Sequence, residues 1–135
     1  MSRLLPVFVL YALVLFVATH WPNLRIESDV IERPDLLIHL GAFGLWAMLL
    51  QLTGLLGPPR SPRTALKTFG VGALYAAVDE SSQAIPILGR TAVWDDYVAN
   101  VVGVALGAAA GCVAARLVLR AAASDRVQGA QPPAE

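Results

Sequence analysis

The stretch that decides the fold is residues 97–119, YVANVVGVALGAAAGCVAARLVL, in which Arg116 is the single charged residue. A helix rises about 1.5 Å per residue, so roughly 20 apolar residues cross the 30 Å hydrocarbon core of a bilayer. The stretch meets that requirement and predicts a membrane-spanning helix.

Three more apolar stretches precede it, at residues 4–21, 36–56 and 66–87, with prolines between them or near their ends. We therefore predict an all-α, four-helix transmembrane bundle over residues 1–123. The polar residues 124–135 predict a disordered tail. A cleaved signal peptide is the alternative for the first stretch, although Trp21 and Pro22 are typical of an interfacial anchor and a helix exit.

The overall composition agrees with a membrane protein. Hydrophobic residues make up 56% of the chain, charged residues only 15%, and the mean hydropathy is +0.61. The net charge of zero gives no indication of nucleic-acid binding. The single cysteine, Cys112, excludes an internal disulfide and a multi-cysteine metal site.

The positions of the charges predict the orientation. If the helices alternate in direction, seven Lys and Arg residues fall on one side and three on the other. The larger group comprises residues 3, 60, 63, 67, 116, 120 and 126, and the smaller group comprises residues 25, 33 and 90. Because cytoplasmic loops retain positive charge, both termini are expected inside and most acidic residues outside.

The third stretch carries acidic residues within its length. Only eleven residues separate Lys67 from Asp79 and Glu80, too few to cross a bilayer. The helix is therefore expected to continue through Gln83, with a re-entrant turn as the alternative. Ionisable groups at this depth usually face the bundle interior and mark functional sites.

Helical spacing places polar and small residues on common faces. Asp79 and Gln83 continue a face of small residues on the third helix, and Asp96 and Asn100 lead into Gly103, Gly107 and Gly111 on the fourth. The glycines predict close helix packing, either within one chain or between the chains of a homo-oligomer. His39 is expected at the same outer level on the second helix.

These residues resemble the pattern of the VanZ-like family. The resemblance covers about residues 35–107 and rests on Asp79-Glu80-Ser81-Ser82-Gln83, Gly89-Arg90, Asp96-Tyr97-Val98-Ala99-Asn100, Gly103, Gly107, and Asp35 with His39. It implies a bacterial cytoplasmic membrane protein of the cell envelope, with its polar cluster toward the outer surface. The family takes its name from resistance to teicoplanin, a glycopeptide antibiotic with a fatty chain.

We predict that an outward polar cluster binds or shields against an amphipathic ligand, such as a lipid-linked cell-wall precursor or a lipoglycopeptide. The candidate residues are His39, Asp79, Glu80, Gln83, Arg90, Asp96 and Asn100. One alternative is an enzyme acting on a lipid-linked substrate, and another is a structural oligomer whose polar residues fasten the helices. We expect membrane lipids as partners and neither a metal nor another cofactor.

Overall fold

The computed structural model describes the backbone of residues 3–21, 32–83 and 93–129, and the side chains in these ranges up to residue 124. This part of the chain forms four helices and no strand. The helices are α1 (Leu5–Thr19), α2 (Pro34–Thr53), α3 (Pro62–Gln83) and α4 (Trp94–Gly129). The all-α, four-helix prediction is confirmed over these ranges.

Prolines and a glycine set the helix ends that differ from the prediction. Helices α2 and α3 begin at Pro34 and Pro62, earlier than the expected 36 and 66, because proline is favourable at the first helical position. Helix α2 ends at Thr53 rather than 56, since Gly54 adopts a φ of 72° and stops the helix.

Helices α3 and α4 both continue through polar sequence. Helix α3 runs through Asp79 and Glu80 to Gln83, which confirms the continuous helix over the re-entrant turn. Helix α4 runs to Gly129, well past the predicted end at 119. Residues 124–129 belong to the predicted disordered tail and are helical in the structure, where the alanine-rich sequence before them favours helix. Residues 130–135 lie outside the described part.

Neighbouring helices run antiparallel. The Tyr11 hydroxyl donates to the carbonyl of Ala42 at 3.0 Å, and the rings of Phe8 and Trp46 meet edge to face at 5.4 Å. These contacts align the start of α1 with the later half of α2. The bundle therefore has up-and-down connectivity, with the ends of α1 and α3 beside the starts of α2 and α4.

The glycines of α4 pack against α2 within the same chain. A Cβ atom on Gly103 would collide with the carbonyl of Leu40, and one on Gly107 would collide with the carbonyl of Gly44. At Gly111 a Cβ would lie 3.0 Å from the side chain of Gln51. Only residues without a side chain permit this backbone approach, so the stripe predicted for packing joins α4 to α2.

Helix α3 presents apolar side chains outward and polar side chains inward. Leu66 and Leu74 are 70% and 67% exposed, whereas Thr68 and Asp79 are 0% and 1% exposed. Gly72 also faces inward, where an added Cβ would meet Val104 at 2.5 Å. This distribution is the reverse of that in a water-soluble helix.

Two helices are long and apolar enough to cross a membrane by length and composition, Pro34–Thr53 and the part of α4 over Trp94–Ser124. Helix α1 is apolar but has only 15 residues. Helix α3 contains the acidic pair and does not meet the same criteria.

A buried amide fastens the helices at the end where α2 stops and α3 starts. The Gln51 side chain is fully buried; its Nε2 donates to the carbonyl of Pro59 at 2.5 Å and its Oε1 accepts from the Thr68 hydroxyl at 2.7 Å. We call Gln51, Pro59 and Thr68 the amide cluster. It is neutral, and both heteroatoms of the Gln51 side chain have partners.

Candidate functional site

At the opposite end of the bundle, the ends of α1 and α3 meet the starts of α2 and α4. Polar side chains from all four helices converge there and form what we call the polar layer. Its members are Thr19, His20, His39, Asp79, Glu80, Ser82, Gln83, Asp96 and Asn100.

Asp79 links α1 to α3. Its Oδ1 accepts from the Thr19 hydroxyl at 2.8 Å, and its Oδ2 accepts from Nε2 of Gln83, one turn later, at 2.9 Å. Both carboxylate oxygens are thus engaged, and the residue is 1% exposed. The bond from Thr19 joins α1 to α3, and the bond from Gln83 orients the carboxylate within α3.

His20 lies beside this carboxylate. Its Nε2 is 2.7 Å from the Ser82 hydroxyl, its Nδ1 is 2.8 Å from the carbonyl of Phe16, and Nδ1 is 3.8 Å from Asp79 Oδ1. Neither His20 nor Thr19 was among the site residues predicted from the sequence. The available signal was a histidine directly before the interfacial Trp21, at the predicted depth of His39.

His39 joins α2 to α4. Its Nδ1 is 3.0 Å from Asn100 Oδ1, and its Nε2 is 3.7 Å from Asp96 Oδ2. Asp96 and Asn100 are one turn apart, so both face α2 in line with the glycine stripe. The structure therefore brings these three predicted residues into contact.

Glu80 lies at the contact between α3 and α4. Its Oε1 accepts from the backbone N–H of Val93 at 2.6 Å, just before α4 begins. The residue is 7% exposed, and its Oε2 receives no hydrogen bond from the part of the chain that the structure describes.

A cleft of about 550 Å³ opens between α3 and α4 beside Glu80. Glu80 and Ser81 form its polar side, and Ala77, Val93, Trp94 and Tyr97 form its remaining walls. The rings of Trp94 and Tyr97 lie 5.3 Å apart. The cleft thus combines a buried carboxylate with an aromatic pair and apolar walls.

The predicted residues meet in one layer but do not surround one cavity. Among the predicted residues that the structure describes, Glu80 alone lines the cleft. Asp79 and His39 turn toward partners on neighbouring helices instead.

Three polar atoms of the layer are buried without a hydrogen-bond partner among the described residues. They are Glu80 Oε2, Asp96 Oδ1 and Asn100 Nδ2. Buried polar atoms are usually paired, and each unpaired one costs about 1–3 kcal/mol. Trp46 Nε1 and Tyr75 Oη, deeper in the bundle, are also unpaired.

Arg33 is the basic residue that the structure places beside the acids at this end. Its Nη2 lies 3.0 Å from Asp35, its Nη1 3.5 Å from Asp95, and its Nη2 3.9 Å from Asp96 Oδ1. Bonding to Asp35 raises the pKa of the exposed Arg33 guanidinium. Arg90, the arginine among the predicted site residues, lies outside the described residues.

Within residues 3–21, 32–83 and 93–124, no three His, Cys, Asp or Glu side chains are grouped to hold a metal ion. Comparison of the chain with family models, curated proteins and solved structures gives no match.

Proposed function

We propose that the protein is an integral membrane protein in which all four helices cross or enter the bilayer. The outward apolar face of α3 supports this, because Leu74 and Val78 are 67% and 57% exposed while Asp79 beside them is buried. In lipid the exposed side chains are solvated by acyl chains, and the acids find partners inside the bundle.

We further propose that both termini face the cytoplasm of a bacterial cell, so the polar layer lies near the outer surface. The support is the excess of Lys and Arg at the end of the bundle that carries the amide cluster. Fusion of a reporter to the C-terminus tests this. A fluorescent protein that folds only in the cytoplasm should be active, and activity of a periplasm-dependent phosphatase there would contradict the orientation.

For the activity, we propose that the cleft between α3 and α4 binds an amphipathic ligand at the outer surface. The observation that carries this proposal is that Glu80, whose buried Oε2 has no hydrogen-bond partner among the described residues, lines a cleft that is otherwise mostly apolar. A ligand with a hydrogen-bond donor on its head group would pair with that oxygen, while Trp94 and Tyr97 would contact its apolar part.

The charge at this site indicates the kind of head group. Glu80 and Asp96 are both acidic, and each has an oxygen without a hydrogen-bond partner among the described residues, so a head group rich in amine or amide donors suits this end of the bundle. Together with the VanZ-like resemblance, this favours a lipid-linked cell-wall precursor or a lipoglycopeptide. An enzymatic role is less favoured, because neither His20 nor His39 lines the cleft.

The test is teicoplanin susceptibility of a sensitive bacterial host that expresses the protein. Wild type should lower susceptibility, Glu80→Gln should abolish that effect, and Glu32→Gln, the same change at an exposed site outside the cleft, should retain it. An unchanged susceptibility with wild type, or a full effect with Glu80→Gln at equal membrane abundance, would overturn the proposal.

A further inference from the structure

A second groove lies at the opposite end of the bundle from the polar layer. It has a volume of about 500 Å³ and runs between the start of α1, the end of α2 and residues 114–119 of α4. Its walls are apolar, with Leu52, Pro59, Ala115 and Val118 among them, and Arg60 stands in its lining.

A second arginine is fixed beside Arg60. Nε of Arg116 donates to the backbone carbonyl of Arg60 at 2.9 Å. The terminal amino groups of Arg116 donate no hydrogen bond to any residue that the structure describes, and both arginines are exposed. Arg60 lines the groove and Arg116 bonds to its backbone, so two exposed arginines lie together beside an apolar groove and can offer their guanidinium groups to an anionic oxygen.

The wider surroundings are also positive. Arg63, Lys67 and Arg120 lie at the same end of the bundle, and every acidic side chain that the structure describes lies at the other end. An uncharged amphiphile would satisfy the apolar walls alone. An anionic amphiphile would satisfy both the walls and the arginines.

We infer that this groove is a binding site for one anionic phospholipid of the inner leaflet, with an acyl chain along the apolar walls and its phosphate on Arg60 and Arg116. The inference rests on the proposed membrane location and is independent of the ligand proposed for the outer cleft. Basic pockets between helices at the cytoplasmic side are suited to anionic head groups, because their charges add to the attraction of the leaflet.

The test uses the full-length protein in detergent, with phosphatidylglycerol and phosphatidylcholine of identical acyl chains added in equal amounts. Native mass spectrometry should show the first phosphatidylglycerol retained about tenfold more than phosphatidylcholine. The double variant Arg60→Gln/Arg116→Gln should bring the ratio close to one. Arg63→Gln/Lys67→Gln removes the same charge away from the groove and should preserve the preference.

A variant that fills the groove distinguishes a lipid bound in the groove from lipids attracted by the overall positive charge of this end. Ala115→Trp should reduce retention of the first lipid of either kind, and excess inorganic phosphate should leave the wild-type preference intact. Equal retention of the two lipids by wild type, or equal loss in both double variants, would overturn the inference. Recovery of wild type in the soluble fraction of cells would instead overturn the membrane location itself.

Discussion

Both ends of the bundle bury polar side chains, but they differ in how many of the buried polar atoms have hydrogen-bond partners. In the amide cluster, Gln51 is neutral and pairs both its oxygen and its nitrogen with the chain. In the polar layer, Glu80, Asp96 and Asn100 each keep a buried atom without a partner among the described residues. The first arrangement is complete in itself, and the second has unused hydrogen-bonding capacity.

This difference distinguishes residues that hold the helices together from residues that can bind a ligand. A satisfied buried amide links helices and leaves no atom for a ligand, whereas an unpaired buried carboxylate oxygen lowers stability until a donor reaches it. Asp79 shows that the distinction also runs through the polar layer, because its two oxygens are bonded to Thr19 and Gln83. We therefore assign Asp79 to fastening and Glu80 to ligand binding.

The largest expected effect comes from disrupting the close packing of α4 against α2, the two helices that run between the ends of the bundle. Gly107→Ala places a methyl group against the Gly44 carbonyl and should lower the free energy of unfolding by about 3 kcal/mol, the upper end of the range for overpacking. The measurement is unfolding in an SDS titration. Gly41→Ala, with nothing within 4 Å of the added Cβ, is the control and should be neutral or stabilising by up to about 1 kcal/mol.

The next effect tests the amide cluster. Gln51→Leu leaves the Thr68 hydroxyl and the Pro59 carbonyl without their partner, and it should cost about 2 kcal/mol of unfolding free energy. Adding Thr68→Val should recover part of that loss, because both members of one hydrogen bond are then apolar. Ligand affinity at the outer cleft should be unchanged in both variants, and a loss of affinity would show that the two ends are coupled.

A smaller effect is expected for the fastening part of the polar layer. Thr19→Val removes the bond between α1 and Asp79 and should cost about 0.6 kcal/mol, the average for hydrogen bonds between helices in lipid. Ser81→Ala is the control, since this hydroxyl donates to Ala77 in its own helix. A cost of several kcal/mol for Thr19→Val would mean that Asp79 depends on this one bond.

The sequence was sufficient for the helices but not for all of their ends. Apolar stretches of about 20 residues predicted four helices, and the eleven-residue spacing to Asp79 correctly predicted that α3 continues through its acids. The predicted end of α4 was wrong because the helix was expected to stop where the sequence becomes polar. A polar sequence with several alanines still favours helix. The glycine spacing predicted a packing face, while its partner, α2, required three-dimensional contacts.

The site was predictable only in part for a similar reason. Spacing along α3 and α4 placed Asp79, Gln83, Asp96 and Asn100 at one level; the structure pairs Asp79 with Gln83 and brings Asp96 and Asn100 to His39. Thr19 and His20 were missed because a hydroxyl and a histidine at the end of an apolar helix give no periodic signal. Both oxygens of Asp79 have hydrogen-bond partners, whereas one oxygen of Glu80 has none among the described residues. This difference depends on which residues lie nearby in three dimensions, and the order of residues in the sequence does not reveal it.

The most direct test of this account compares affinity and stability in Glu80→Gln. With the protein in lipid nanodiscs, a fluorescently labelled teicoplanin should bind about tenfold more weakly to this variant than to wild type, equivalent to about 1.4 kcal/mol. The free energy of unfolding should change by less than about 0.5 kcal/mol, and Glu32→Gln should match wild type in both measurements. Unchanged affinity together with a stability loss as large as that of Gln51→Leu would contradict the assignment of Glu80 to ligand binding.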